Sequence, residues 1–157
     1  MIEKGYVSSM QEAFDRFLKK DADAYVEKAR LSPIESIALI HDAGGVAVLA
    51  HPYQLKLSSY EDADQLAAEL AGLGLDGIEA VYSRHSAAER ASYSEIARRH
   101  GLLVTGGSDY HGSYKPDISI VTGLGDLDVP YELLEAVKAR AAGRSKRTQA
   151  NRAERVS

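Results

Sequence analysis

The chain has 157 residues, 45% of them hydrophobic, which is the size of a single domain with apolar side chains enough to bury a core. It contains no cysteine, and this excludes disulfides, thiolate nucleophiles and zinc–thiolate sites and makes a reducing cytoplasm the expected compartment. The formal charge of −4 is uneven: from Arg140 onward six basic residues stand against Glu154 alone, so a tail of +5 follows a body of −9 that offers no broad attraction to a polynucleotide.

The opening residues hold no long apolar run and include Glu3 and Lys4, so neither export nor membrane insertion is expected. Met10, Ala13, Phe14, Phe17 and Leu18 recur at helical spacing and predict a helix over 10–20, with Ser9 as N-cap and Glu12 completing a capping box. Residues 21–31 show no clear period. Ser32, followed by Pro33 and Glu35, starts a second helix whose Ile34, Ile37, Ala38 and Ile40 or His41 reach toward a core, and Gly44 and Gly45 end it. The apolar run up to Ala50 then predicts a buried parallel strand. A helix over 62–71 with Leu66, Ala67 and Leu70 inward leads through Gly72 and Gly74 to a strand over 77–81. Ser86 caps a helix through residue 99 with Tyr93, Ile96 and Ala97 on one face, before a strand over 102–105 and a last helix over 131–142 after Pro130. Helices alternating with short apolar strands across glycine turns predict an α/β fold, a parallel sheet or barrel with outer helices.

Two strand ends carry chemistry. Gly106-Gly107-Ser108-Asp109-Tyr110-His111-Gly112 follows an apolar strand, and an Asp and a His two residues apart share one side of an extended segment, a geometry suited to a divalent cation. The same residue types are ordinary turn formers after a strand. Ala50-His51-Pro52 ends another apolar strand with a second donor, in the crevice where α/β folds build their sites. A phosphate-binding loop of the Walker type and a Gly-x-Ser-x-Gly nucleophile elbow are both absent, and the tyrosines are dispersed rather than interleaved with basic residues.

Ala50-His51-Pro52, Gly74-Leu75-Asp76-Gly77-Ile78-Glu79 and Gly107-Ser108-Asp109-Tyr110-His111-Gly112 together resemble the C-terminal half of a PHP (polymerase and histidinol phosphatase) domain. Within that superfamily the chain is most similar to the stand-alone bacterial branch of nucleoside 3',5'-bisphosphate phosphatases and 5'-to-3' exoribonucleases. Gly5-Tyr6-Val7-Ser8-Ser9 through Ala13-Phe14, with Ala24-Tyr25-Val26, resembles a helical insertion found there. The resemblance covers roughly residues 1–139 and implies part of a distorted (β/α)₇ barrel: a helical insertion over 1–31, the C-terminal half of the barrel over 32–139 and a basic, disordered tail over 140–157. Complete members begin with a His-x-His pair that has no counterpart here, and His41 and His100, which lack a donor two residues away, do not replace it.

The resemblance further implies His51, Asp109 and His111 as metal ligands, with Asp109 also contacting the attacking water, and Mn²⁺ foremost as the ion, with Fe²⁺, Zn²⁺ or Mg²⁺ as alternatives. Arg84 and His85, just beyond the strand over 77–81, either hold a substrate phosphate or are polar loop residues leading into a helix. Glu79, a carboxylate among apolar neighbours, is expected to be rim-facing or paired rather than a ligand. The expected function is a metal-dependent phosphoesterase acting on a 3',5'-bisphosphonucleotide or a short RNA 5' end, N-terminally truncated or completed by a partner chain. The alternative is a non-catalytic remnant that serves as a binding or regulatory module. A third reading makes the basic tail an RNA-binding adaptor. An open sheet edge at the missing half predicts self-association or a partner chain there.

Overall fold

The computed structural model describes residues 1–27 and 29–154, and side chains through residue 145. The chain divides into two compact units at the boundary between Leu31 and Ser32. Among the described residues, no helix is long and apolar enough to cross a membrane.

The first unit is helical. A single 3₁₀ turn, Ile2–Lys4, closes on Gly5, whose φ of 70° requires the left-handed region. Helix α1 (Met10–Ala13) starts at Ser9, whose hydroxyl accepts the Glu12 N–H at 3.1 Å. It widens into a π-type turn over Phe14–Leu18 and stops there, because Lys19 is extended. The capping box is half formed. The Glu12 carboxylate bonds the N–H and hydroxyl of Ser8, at 2.7 and 2.6 Å, instead of returning to Ser9. Met10, Phe14 and Leu18, on one stripe, are all exposed.

The second unit is an open α/β layer. Helix α2 (Pro33–Asp42) has the full capping box, with the Glu35 carboxylate on the Ser32 N–H at 2.8 Å. Of its expected inward residues only Ile37 is buried; Ile34 and Ile40 are exposed. Strand β1 (Val48–Leu49) is followed by α3 (Tyr60–Gly72), β2 (Gly77–Tyr82), α4 (Ala87–Arg99), β3 (Leu103–Gly107) and α5 (Tyr131–Glu154). The three strands are parallel in the order β1-β2-β3. The strand β1 is much shorter than its apolar run, since Ala47 spends its carbonyl on the N–H groups of Asp76 and Gly77 just below the ladder.

Along β2 the side chains alternate. Ile78, Ala80 and Tyr82 are buried, and α4 packs on β2, whereas Glu79 and Val81 on the other face are only half covered. Ile37, Ala63, Ala67, Ile78, Tyr93, Ile96, Ala97 and Leu102 form the core. The sheet is thus three parallel strands with helices, and among the described residues it does not close into the expected barrel. The register between β2 and β3 shifts between Glu79 and Val81. Gly106 sits at that irregularity, where a Cβ would lie 2.7 Å from the Val81 carbonyl oxygen.

At the N-terminal end of β2 the structure corrects the reading of the basic tail. Helix α5 continues past residue 142, and Arg140 and Arg144 are ordered on Asp76. The Asp76 carboxylate, 1% exposed, also accepts from the Ala47 N–H at 2.9 Å and from His41 Nε2 at 2.8 Å. Burial pushes its pKa up, but the Ala47, His41 and arginine contacts outweigh this and hold it below the usual carboxylate value. Charge counting along the sequence missed these arginines because their partner lies more than sixty residues away. The remaining tail cations, Lys146, Arg147 and Arg152, have undescribed side chains, and Arg155 lies outside the described residues.

Candidate active site

The rim at the C-terminal ends of the strands gathers one connected set of polar groups. His51, two residues beyond β1, has φ 34° and ψ 59° and opens the 3₁₀ turn Pro52–Leu55. Its N–H donates to Glu79 Oε2 at 2.7 Å. Asp109, two residues beyond β3, is also left-handed, at φ 57°. Such a backbone costs roughly 1–3 kcal/mol for a side chain other than glycine and persists only where surrounding contacts fix it.

Those contacts are visible around Asp109. Its Oδ2 accepts the Tyr82 hydroxyl at 2.9 Å and the Lys115 ammonium at 2.5 Å. The ring of His111 turns back on Asp109, with Nδ1 at 2.7 Å from the backbone carbonyl oxygen and 3.3 Å from Oδ1. Burial pushes the Asp109 carboxyl up, but the Lys115 and Tyr82 hydrogen bonds and the nearby positive charge outweigh it and keep the pKa low. The carboxylate is therefore charged at neutral pH. Burial moves Glu79 in the other direction: desolvation raises its pKa against the opposing His51 N–H. The Tyr82 hydroxyl is raised as well, chiefly by burial.

Tyr82 joins the two halves of the rim. Its ring lies 6.1 Å from the His51 imidazole, and its hydroxyl accepts Gln54 Nε2 at 3.4 Å while donating to Asp109. Below it, the Ser83 hydroxyl donates to the Ser108 carbonyl at 2.7 Å and ties the turn after β2 to the Asp109 loop.

Arg84 and His85 part ways. Arg84 is solvent-facing and pairs with Asp117 at 3.4 Å. His85 is 2% exposed: its Nδ1 sits 2.8 Å from the Ala80 carbonyl oxygen and its ring stacks on Tyr93 at 4.7 Å. It lies beneath the rim, because the turn closed by its N–H on the Tyr82 carbonyl folds the ring inward.

His51, Asp109 and His111 share the rim, yet among the described residues no three or more His, Asp or Glu side chains are arranged to hold a metal ion. The donor set is incomplete for a catalytic zinc centre, which takes three protein ligands, and an ammonium already pairs with Asp109. Sequence reasoning did not single out Tyr82, Gln54 or Lys115. Lys115 lies six residues after Asp109 across a short 3₁₀ turn, Gly112–Tyr114, and no strand or helix period links the two.

No protein-family model matches the chain. It is 41% identical over 80 residues to a phosphoribosyl 1,2-cyclic phosphate 1,2-diphosphodiesterase from Eggerthella lenta, which covers 51% of this chain and 28% of the relative. It is 34% identical over 111 residues to the 5'-3' exoribonuclease Rnm of Escherichia coli, covering 71% of this chain and 38% of the relative. The chain thus spans well under half the length of these curated relatives. A crystal structure described as a candidate metal-dependent phosphoesterase from Bifidobacterium adolescentis superposes with a TM-score of 0.62 at 32% identity, over 88% of this chain and 47% of that one. These relatives are phosphoesterases.

Proposed function

We propose that the chain is the C-terminal part of a PHP-type, metal-dependent phosphoesterase acting on a phosphate ester of a nucleotide or of an RNA end. The observation that carries this reading is the convergence of His51, Glu79, Tyr82 and Asp109 at the C-terminal rim of a parallel sheet. That is where α/β folds bind their ligands. The resemblance over the same residues, and the phosphoesterase relatives, support it.

In this reading His51, Asp109 and His111 are part of a donor set, and the rest comes from polypeptide outside these residues, in the same chain or a partner. The Tyr82 hydroxyl and the Glu79 carboxylate orient Asp109 and the His51 backbone. Arg84, in the turn after β2, and Lys115, on Asp109, are assigned to the substrate phosphate, while buried His85 supports Tyr82 from below, with ring centroids 5.1 Å apart. A second reading, a binding module without turnover, is favoured by the ammonium of Lys115 on Asp109 and by the incomplete donor set.

One preparation separates the two. Bound Mn²⁺ is measured by electron paramagnetic resonance, and phosphate release from adenosine 3',5'-bisphosphate is followed for the wild type and Asp109→Ala. Mn²⁺-dependent release lost in the variant supports the phosphoesterase. Binding that needs Asp109 but gives no release supports the module. Mn²⁺ binding absent from the wild type, or unchanged by Asp109→Ala, overturns the metal assignment.

A further inference from the structure

Beside the rim lies a cleft of about 680 Å³ that the site described above does not use. Its volume falls within the range of pockets that bury most of a small organic ligand. Tyr53 and Tyr60, 48% and 45% exposed, both line it; Tyr60 meets buried Tyr93 edge-on at 6.1 Å, and Tyr53 meets buried His85 at 6.3 Å. Each exposed ring therefore rests on a buried one and offers an aromatic face to the cleft.

The polar groups narrow the choice of ligand. Lys56, held at φ 50° at the end of the turn Pro52–Leu55, contributes a cation that makes no ion pair among the described residues. Glu89 also lines the cleft as an anion, with its Oε2 taken by the N–H and hydroxyl of Ser86, at 2.7 and 2.8 Å, where it caps α4. The cleft therefore presents aromatic faces and an unpaired ammonium, with its one carboxylate tied through Oε2 to the start of α4.

The cleft also connects to the rim. Gln54 lines it and donates its amide to the Tyr82 hydroxyl at 3.4 Å, and that hydroxyl donates to Asp109 at 2.9 Å. A ligand filling the cleft thus ends two hydrogen bonds from the carboxylate assigned to the reaction.

We infer that this cleft is a nucleobase subsite: a purine or pyrimidine ring stacks against Tyr53 and Tyr60, with Lys56 facing the anionic part of the same nucleotide. Stacking on an aromatic side chain tolerates any base, because every base has a π-face. The inference rests on the proposed function for its substrate class.

The test is binding without turnover. Isothermal titration in EDTA compares adenosine 5'-monophosphate with ribose 5-phosphate, which lacks the base, for the wild type, Tyr60→Ala and Tyr60→Phe, each checked for native circular dichroism. Adenosine 5'-monophosphate is expected to bind at least about tenfold tighter than ribose 5-phosphate. Tyr60→Ala removes most of that difference, and Tyr60→Phe, which keeps the ring, retains it. Equal binding of the two ligands, binding of neither, or no effect of Tyr60→Ala overturns the subsite. Asp109→Ala keeps the base-dependent binding, so loss of hydrolysis with binding intact counts against the proposed function alone. Hydrolysis that persists without any preference for the base counts against the subsite alone.

Discussion

Replacing Asp76 by Asn removes a charge and leaves the shape, and it strikes the best-buried ionic group of the second unit. The carboxylate accepts from the Ala47 N–H, His41, Arg140 and Arg144, so both oxygens are committed. An amide has one acceptor oxygen and presents an NH₂ to the guanidinium groups. Breaking a buried ion pair by removing one partner costs about 3–5 kcal/mol. The side chains of Arg140 and Arg144 are 35% and 16% exposed and regain some hydration, which places the loss near the lower end, about 3 kcal/mol. For a chain of this length that corresponds to roughly 6–12 °C in melting temperature. The sign of the pH dependence is set by a lowered native pKa. The contribution is fully present above the unfolded carboxylate value of about 3.9 and is lost as pH falls through the native one. Urea unfolding of the wild type and Asp76→Asn, followed by far-UV circular dichroism at pH 7, 5 and 3, measures both quantities. The gap should be equal at pH 7 and 5 and smaller at pH 3. A gap below about 1 kcal/mol at pH 7, or one that does not shrink in acid, refutes the argument.

Three other perturbations have definite outcomes. Lys115→Met removes a charge-assisted hydrogen bond of about 1.5–3 kcal/mol from Asp109, so Mn²⁺ should bind about 10- to 100-fold tighter by paramagnetic titration if Asp109 is a ligand. Gly106→Ala puts a methyl group 2.8 Å from Val81 Cβ, against backbone that cannot yield; it should cost about 1–3 kcal/mol, read from the urea midpoint. Ser86→Ala removes the side-chain cap of α4 and should cost about 1 kcal/mol. In the same variant the Glu89 pKa, held low by the Ser86 N–H and hydroxyl, should rise in a carbon-detected titration.

The sequence was most legible where a local rule decides the outcome. Ser32 and Ser86 cap helices as expected, each within a full capping box, and Tyr93, Ile96 and Ala97 are buried on the face their spacing defines. Legibility failed where the partner is distant. Ile34 and Ile40 are exposed although apolar, while Ile37 between them is buried, and periodicity reports a face without reporting what covers it. Arg140 and Arg144 read as tail by charge alone, and only the fold reveals the buried carboxylate they serve. His85 illustrates the same limit at one-residue scale. The strand β2 runs to Tyr82, one residue beyond the expected end, and the tight turn that follows sends the imidazole into the core.

The backbone supplies an argument about the rim that does not depend on any bound group. Among the described residues, four other than glycine have a left-handed φ: Asp21, His51, Lys56 and Asp109. His51 precedes a proline, which already restricts its backbone, and Asp109 stands between a strand and a short turn where glycines are abundant. If the turns alone mattered, glycine would serve at both positions without strain. Side chains are kept there at a cost of roughly 1–3 kcal/mol each; Glu79 of β2 accepts the His51 backbone N–H, and Tyr82 of the same strand donates to the Asp109 carboxylate. The third, Lys56, lines the neighbouring cleft. The Asp109 carboxylate and the His51 backbone are thus fixed relative to β2 before any ligand arrives, as a preorganised site requires.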